Sequence, residues 1–183
     1  YKRQSKEGTP ENLDFWARKK GISLIGTGDF THPVWREELK ERLVSEGNGL
    51  YRLKDEYVKE ESRKFPGEGT HFVVSGEISS IYKKNGKTRK VHNVILLPSL
   101  EAADAMAQRL EKIGNIHSDG RPILGLDSHD LLEMMLDVCP EGILIPAHIW
   151  TPHFSVLGAK SGFDSVEECF EELTPVSYTH LTL

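Results

Sequence analysis

Cysteine is nearly absent: two in 183 residues, Cys139 and Cys169, far apart and without a Cys-x-x-Cys pairing. That argues against a disulfide framework and fits reduced thiols in a cytosolic compartment. Both lie within apolar helical patterns, so both are expected to be buried and inert. No run of about 18 apolar residues occurs, so no membrane-spanning segment is expected, and no secretory signal pattern is visible. A basic excess is missing too. The net charge of −5 argues against a general nucleic-acid glue, and any such contact must come from a local basic surface. Internal repeats and low-complexity tracts are also absent. What remains is ordinary for a globular chain, 38% hydrophobic and 28% charged, at a length that suits one domain with a real core.

Strands and helices alternate along the chain. Thr9-Pro10-Glu11 starts a helix whose inner face is read as Leu13, Trp16 and Ala17, ending at Gly21. A short buried strand over 22–27 follows, then a helix over 34–45 carrying Trp35, Leu39 and Leu43. Residues 46–69 read as a charged surface excursion with a short helix near 54–64. The run from His71 to Tyr82 is a strand that turns at Asn85-Gly86, a strong hairpin signal. The return strand runs to Leu97. Ser99 and Asp127 cap two further helices, 143–147 is a buried strand ending at His148, and Ser165-Val166-Glu167-Glu168 opens a last helix as a capping box. This alternation predicts an α/β layered or barrel-like domain, with too few strands to close an eight-stranded barrel.

Five polar residues stand at strand ends or beside the hairpin: Asp29, His32, Glu77, His92 and His148. Asp29 and His32 arrive with two glycines on the loop leaving the first strand, where α/β folds carry out chemistry. With a two-residue turn at Asn85-Gly86, opposed residues sum to 171, so Glu77 faces Val94 and Ser79 faces His92. Glu77 and His92 are then diagonal neighbours on one face, about 7–8 Å apart, close enough to share one metal ion. A carboxylate inside an apolar strand needs a partner. Carboxylate and imidazole together suit zinc, manganese or iron(II). Lys83, Lys84, Lys87, Arg89 and Lys90 make a basic hairpin tip, which reads either as a solvated edge or as a phosphate-backbone contact. Gly158-Ala159-Lys160-Ser161-Gly162 lacks the spacing of a phosphate-binding loop, which excludes a nucleotide triphosphatase.

Four motifs in order resemble one family. They are Gly26-Thr27-Gly28-Asp29-Phe30-Thr31-His32-Pro33, Glu77-Ile78-Ser79-Ser80-Ile81-Tyr82 with His92-Asn93, the run from Ile145 to Pro152, and Gly158 to Asp164. The chain resembles, from about residue 1 to 173, the endonuclease Q family of the PHP (polymerase and histidinol phosphatase) superfamily. The resemblance implies a PHP-type distorted (β/α)7 barrel, incomplete in this chain. It implies up to three metal ions, zinc or else manganese or magnesium, and hydrolysis of DNA 5′ of deaminated bases (uracil, hypoxanthine) or abasic sites. Glu77 would bridge two metals, His92 and His148 would complete one site, and the loop at 26–33 would supply a further ligand from Asp29 or His32. Glu77 and Asp29 would thus carry the catalysis. Damaged DNA would be held by Lys83, Lys84, Lys87 and Arg89, with Trp150, His153 or Phe154 lining a lesion pocket, and the protein would be cytoplasmic and nucleoid-associated.

The resemblance also implies a His-x-His pair before this chain and an Asp-x-His after it, so the sequence reads as an internal fragment with little activity of its own. Residues 174–183, with His180, read as a non-native tail. Two other readings are a PHP phosphatase acting on small phosphomonoesters and a non-catalytic DNA-binding domain attached to a helicase.

Overall fold

The computed structural model describes residues 8–174. Beyond Thr174 the expected non-native tail, His180 included, lies outside the described residues. Helix α1 (Pro10–Lys20) begins as expected, with the Thr9 hydroxyl accepting from the Asn12 amide at 3.3 Å, and ends at Gly21. Ala17 and Leu13 face inward as expected, but Trp16 does not. Pro10, Asp14 and Ala17 are buried, whereas Trp16 is 46% exposed beneath the Lys19 ammonium. The Arg18 Nε–H donates to both oxygens of the Asp14 carboxylate at 2.9 Å, which lets a charged residue take the inner stripe.

Strand β1 (Leu24–Gly26) pairs in parallel with the start of β4 (His71–Lys84). It is not the buried strand expected, since Ile22 and Leu24 are about half exposed. Helix α2 (Pro33–Arg42) stops before Leu43, which instead opens a hairpin of β2 (Leu43–Gly47) and β3 (Leu50–Leu53). Asn48 and Gly49 make its turn at φ 52° and 79°. The helix expected near 54–64 is two single 3-10 turns, Asp55–Tyr57 and Ser62–Lys64.

The centre of the sheet is β4 against β5 (Lys87–Leu97), antiparallel in unbroken register from Val74–Leu97 to Lys84–Lys87. Asn85 and Gly86 close it at φ 53° and 72°, the left-handed pair that a two-residue turn requires. Helices α3 (Leu100–Glu111) and α4 (Ser128–Val138) follow, separated by the two-residue β6 (Ile123–Leu124), and then come β7 (Ile143–Pro146) and the short α5 (Val166–Phe170). The sheet runs β2-β3-β4-β5-β7, with β1 and β6 also paired in parallel to β4. The α/β class expected is therefore present, with a long antiparallel core. Among the described residues no helix is long and apolar enough to cross a membrane.

The two faces of the hairpin differ. Val74, Ile78, Val91, Ile95 and Leu97 point to one side and are buried with Ala103, Met106 and Leu110 of α3 and Leu131, Leu132 and Met135 of α4. The alternate residues, among them Glu77, Lys83, Thr88, Lys90 and His92, point to the other side. Phe30 packs so close to β4 that a Cβ at Gly76 would lie 2.6 Å from its ring. Gly76→Ala is therefore expected to cost about 1–3 kcal/mol of stability in denaturant unfolding, through overpacking. Cys139 and Cys169 are free and buried, as expected. Burial pushes the Cys169 thiol up to about 12.

One ion-pair network joins β4, α4 and the end of the described chain. The Lys84 ammonium lies 2.7 Å from Glu171 and 3.2 Å from Asp127, while His129 sits between Asp130 and Glu172. Burial pulls the His129 pKa down, but the two carboxylates outweigh it and leave the group above its ordinary value. Its contribution to stability is therefore full below about pH 6.5 and lost as pH rises through the raised value. His129→Gln should destabilise the protein most near pH 5.5 and hardly at all above about pH 8, measured by urea unfolding across pH.

Candidate metal centre

Three donors converge where the exposed face of the hairpin meets β7. The Glu77 carboxylate lies 2.8 Å from His92 Nδ1, and His92 Nδ1 lies 3.1 Å from His148 Nε2. One donor atom from each residue falls within 4.8 Å of the other two. The ladder explains the convergence. Ser79 opposes His92, which puts Glu77 on the diagonal, and β7 pairs with β5 up to Asn93–Pro146. The Ala147 amide then donates to the His92 carbonyl at 2.8 Å, so the chain delivers His148 beside His92 as it leaves the sheet. His148 itself is in the left-handed region at φ 34°, a strained setting for a non-glycine residue.

Second contacts orient both rings. His148 Nδ1 lies 2.9 Å from Thr151 Oγ1, and that hydroxyl donates its single proton to the His153 carbonyl at 2.9 Å. The hydroxyl must therefore accept from His148 Nδ1–H, which leaves the Nε2 lone pair facing Glu77 and His92. Phe154 stacks on His92 at 4.6 Å between centroids, and its carbonyl accepts from the His92 amide at 3.0 Å. Burial holds the His92 pKa below its ordinary value, with Arg121 and His148 adding to the effect and Glu77 opposing it. The site thus offers one carboxylate and two imidazoles, a donor set suited to a divalent transition ion.

Arg121 joins the site without a local sequence signal. Its guanidinium lies 3.2 Å from the Glu77 carboxylate. The two-residue β6 puts it there, because the Ser79 amide donates to the Pro122 carbonyl at 2.9 Å and Ser79 aligns with Ile123. Nothing in Asp119-Gly120-Arg121-Pro122 announces such a strand. Thr151 carries one sequence signal, its spacing of three from His148. Glu77, expected to be buried, keeps 29% of its side chain exposed between His92 and Arg121.

Asp29 and His32 are not among these converging donors. His32 is buried, and its Nε2–H donates to the His117 carbonyl at 2.8 Å. The Asp29 carboxylate packs against Gly120, next to Arg121, with its backbone at φ 51°. Thr31 donates to the Gly120 carbonyl at 3.1 Å, so the 26–33 loop is tied to the turn that carries Arg121. Two of the expected phosphate contacts have partners inside the domain. Lys84 is taken up by Asp127 and Glu171, and Arg89 is 5% exposed, donating to the Gly162 carbonyl and stacking on Phe163 at 4.2 Å. Lys83 and Lys87 are exposed, as are His153 and Trp150, the last by 78%. The described residues contain two further candidate groups, both around His129 with Asp130 and Glu133 or Glu171 and Glu172. Those carboxylates are largely solvent-facing, and the Lys84 ammonium already neutralises Glu171.

No protein-family model matches the chain. An uncharacterised protein of Methanocaldococcus jannaschii is 30% identical over 163 residues, which is 88% of this chain and 16% of that protein. Two solved structures are similar in fold. The lesion-specific endonuclease PfuEndoQ of Pyrococcus furiosus matches at a TM-score of 0.71 and 25% identity, over 92% of this chain and 36% of that one. Endonuclease Q bound to a 27-mer duplex with an abasic lesion at its active site matches at 0.66 and 25%, over 85% of this chain and 33% of that one. The chain therefore spans about a third of the length of the solved structures it matches. The likeness to endonuclease Q expected from the four motifs is met in three dimensions.

The site's electrostatics give a direct check on metal-free protein. In an NMR pH titration His92 should titrate below about 6.5. Arg121→Gln should raise that value by removing a repelling charge, and Glu77→Gln should lower it. A His92 that titrates above the ordinary value would contradict this account of the site.

Proposed function

We propose that this chain forms the metal-binding part of a DNA repair endonuclease that hydrolyses the phosphodiester 5′ of a deaminated or abasic nucleotide. The observation that carries the reading is the convergence of Glu77, His92 and His148, in a fold similar to part of endonuclease Q. A PHP-type (β/α)7 barrel belongs to the same reading, supported by the parallel pairing of β1 and β6 with β4.

Glu77 Oε1, His92 Nδ1 and His148 Nε2 would hold the ion, zinc by donor preference or else manganese or magnesium. Such an ion supplies the Lewis acid that polarises a phosphoryl oxygen and makes water a competent nucleophile at neutral pH. The protein's own residues do the rest. Thr151 holds His148 in the tautomer that presents Nε2. Arg121, partly exposed beside Glu77, offers a planar guanidinium to the negative charge of the scissile phosphate. In the 26–33 loop Asp29 is the better candidate for a further ligand, because His32 Nε2 is committed to the His117 carbonyl. Three donors suit one ion, so incision by the 183-residue chain alone is expected to be weak.

Zinc titration of the 183-residue protein tests the reading. One equivalent should bind in a step that Glu77→Ala abolishes, and duplex carrying an abasic site or uracil should be bound in preference to undamaged duplex. Thr151→Val should weaken zinc about 10–100-fold while Thr151→Ser retains it. Zinc binding unchanged by Glu77→Ala would remove the reading's foundation.

A further inference from the structure

A second polar concavity lies along the hairpin from the candidate metal centre. Lys87, Thr88 and Arg89 at the start of β5 face residues 157–164 across a cavity of about 470 Å³. Its lining carries three cations, Lys87, Arg89 and Lys160, against a single carboxylate, Asp164. Lys87 and Lys160 are exposed and form no ion pair among the described residues, so their charge is available to a ligand. Thr88 and Ser161 add hydroxyls to the same wall.

The wall is built rather than draped. The Lys90 amide donates to the Ser161 carbonyl at 3.1 Å, the Lys160 amide to the Pro152 carbonyl at 3.0 Å, and the Phe163 amide to the Val156 carbonyl at 2.6 Å. Arg89 fixes the far side through the Gly162 carbonyl and the Phe163 ring. At Gly162 a Cβ would fall 2.3 Å from the Gly158 nitrogen, so the loop closes this tightly only with glycine there. The same loop begins at Thr151, which orients His148, and Lys90 lies over Phe154, which stacks on His92. The loop that lines the concavity therefore also orients His148 and packs on His92.

We infer that this groove is a subsite for the phosphodiester backbone of the DNA whose scissile bond reaches Glu77, His92 and His148. The inference rests on the nuclease reading and goes beyond it by assigning the backbone contact to Lys87 and Lys160. Neighbouring Lys84 and Arg89 act as supports. Lysines lining a polar concavity position a strand without reading its sequence.

Duplex binding by the 183-residue protein, followed by fluorescence anisotropy across a salt series, tests the inference. Lys87→Glu and Lys160→Glu change exposed side chains, and Lys20→Glu makes the same charge change on exposed α1. Each groove variant should raise Kd about tenfold and lower the slope of log Kd against log salt by about one, with Lys20→Glu close to wild type. Groove variants that bind duplex like wild type would overturn the inference and leave the nuclease reading standing. A wild-type protein without duplex binding would overturn both. Calorimetry with inorganic phosphate separates a free-anion site: phosphate binding lost in Lys160→Glu, with duplex binding unchanged, would also overturn it.

Discussion

The pairing register between β4 and β5 determines where every candidate ligand goes. Side chains alternate along a strand, so a slip of one residue would carry Glu77 or His92 to the opposite face and into the apolar core. The register is held from both ends. Asn85 and Gly86 adopt the left-handed turn that sets the loop length, and Val74, Ile78, Val91, Ile95 and Leu97 give one face an apolar set that tolerates no shift. The ladder then continues through β7, so that backbone pairing alone brings His148, 56 residues along the chain from His92, to within 3.1 Å of it.

Around that frame the site balances burial against charge. Burial keeps His92 neutral and able to offer a lone pair, while Glu77 stays partly in water between His92 and Arg121. Three of the six positive-φ non-glycine residues among the described residues, Asp29, His148 and Phe154, lie at or beside the site. The turn at 117–121 links the parts. It receives contacts from Thr31 and His32 on one side and sends Arg121 to Glu77 on the other, so the glycine loop and the donor triad share one support.

Where a local signal sufficed, the structure was legible in the sequence. The Asn85-Gly86 turn gave the register residue for residue, the Thr9, Ser99, Asp127 and Ser165 caps all formed, and the apolar stripes of α3 and α4 face the core. Long-range pairing was not legible. Leu43 continues the apolar spacing of α2, yet opens β2, because pairing with Leu53 outweighs one more helical turn. β6 is two residues long and exists through its hydrogen bonds to β4, so Arg121 could not be placed beside Glu77 from the sequence. In α1 the periodicity places Leu13 and Ala17 correctly, but Asp14, its charge met by Arg18, is buried while Trp16 stays exposed. In the basic tip, composition counted five cations, whereas tertiary contacts with Asp127, Glu171, Gly162 and Phe163 consume two of them.

Diffraction data from zinc-loaded crystals, collected on either side of the zinc absorption edge, test the central claim most directly. The account predicts an anomalous peak bounded by Glu77 Oε1, His92 Nδ1 and His148 Nε2. A peak at the carboxylates around His129, with none at that triad, would contradict it.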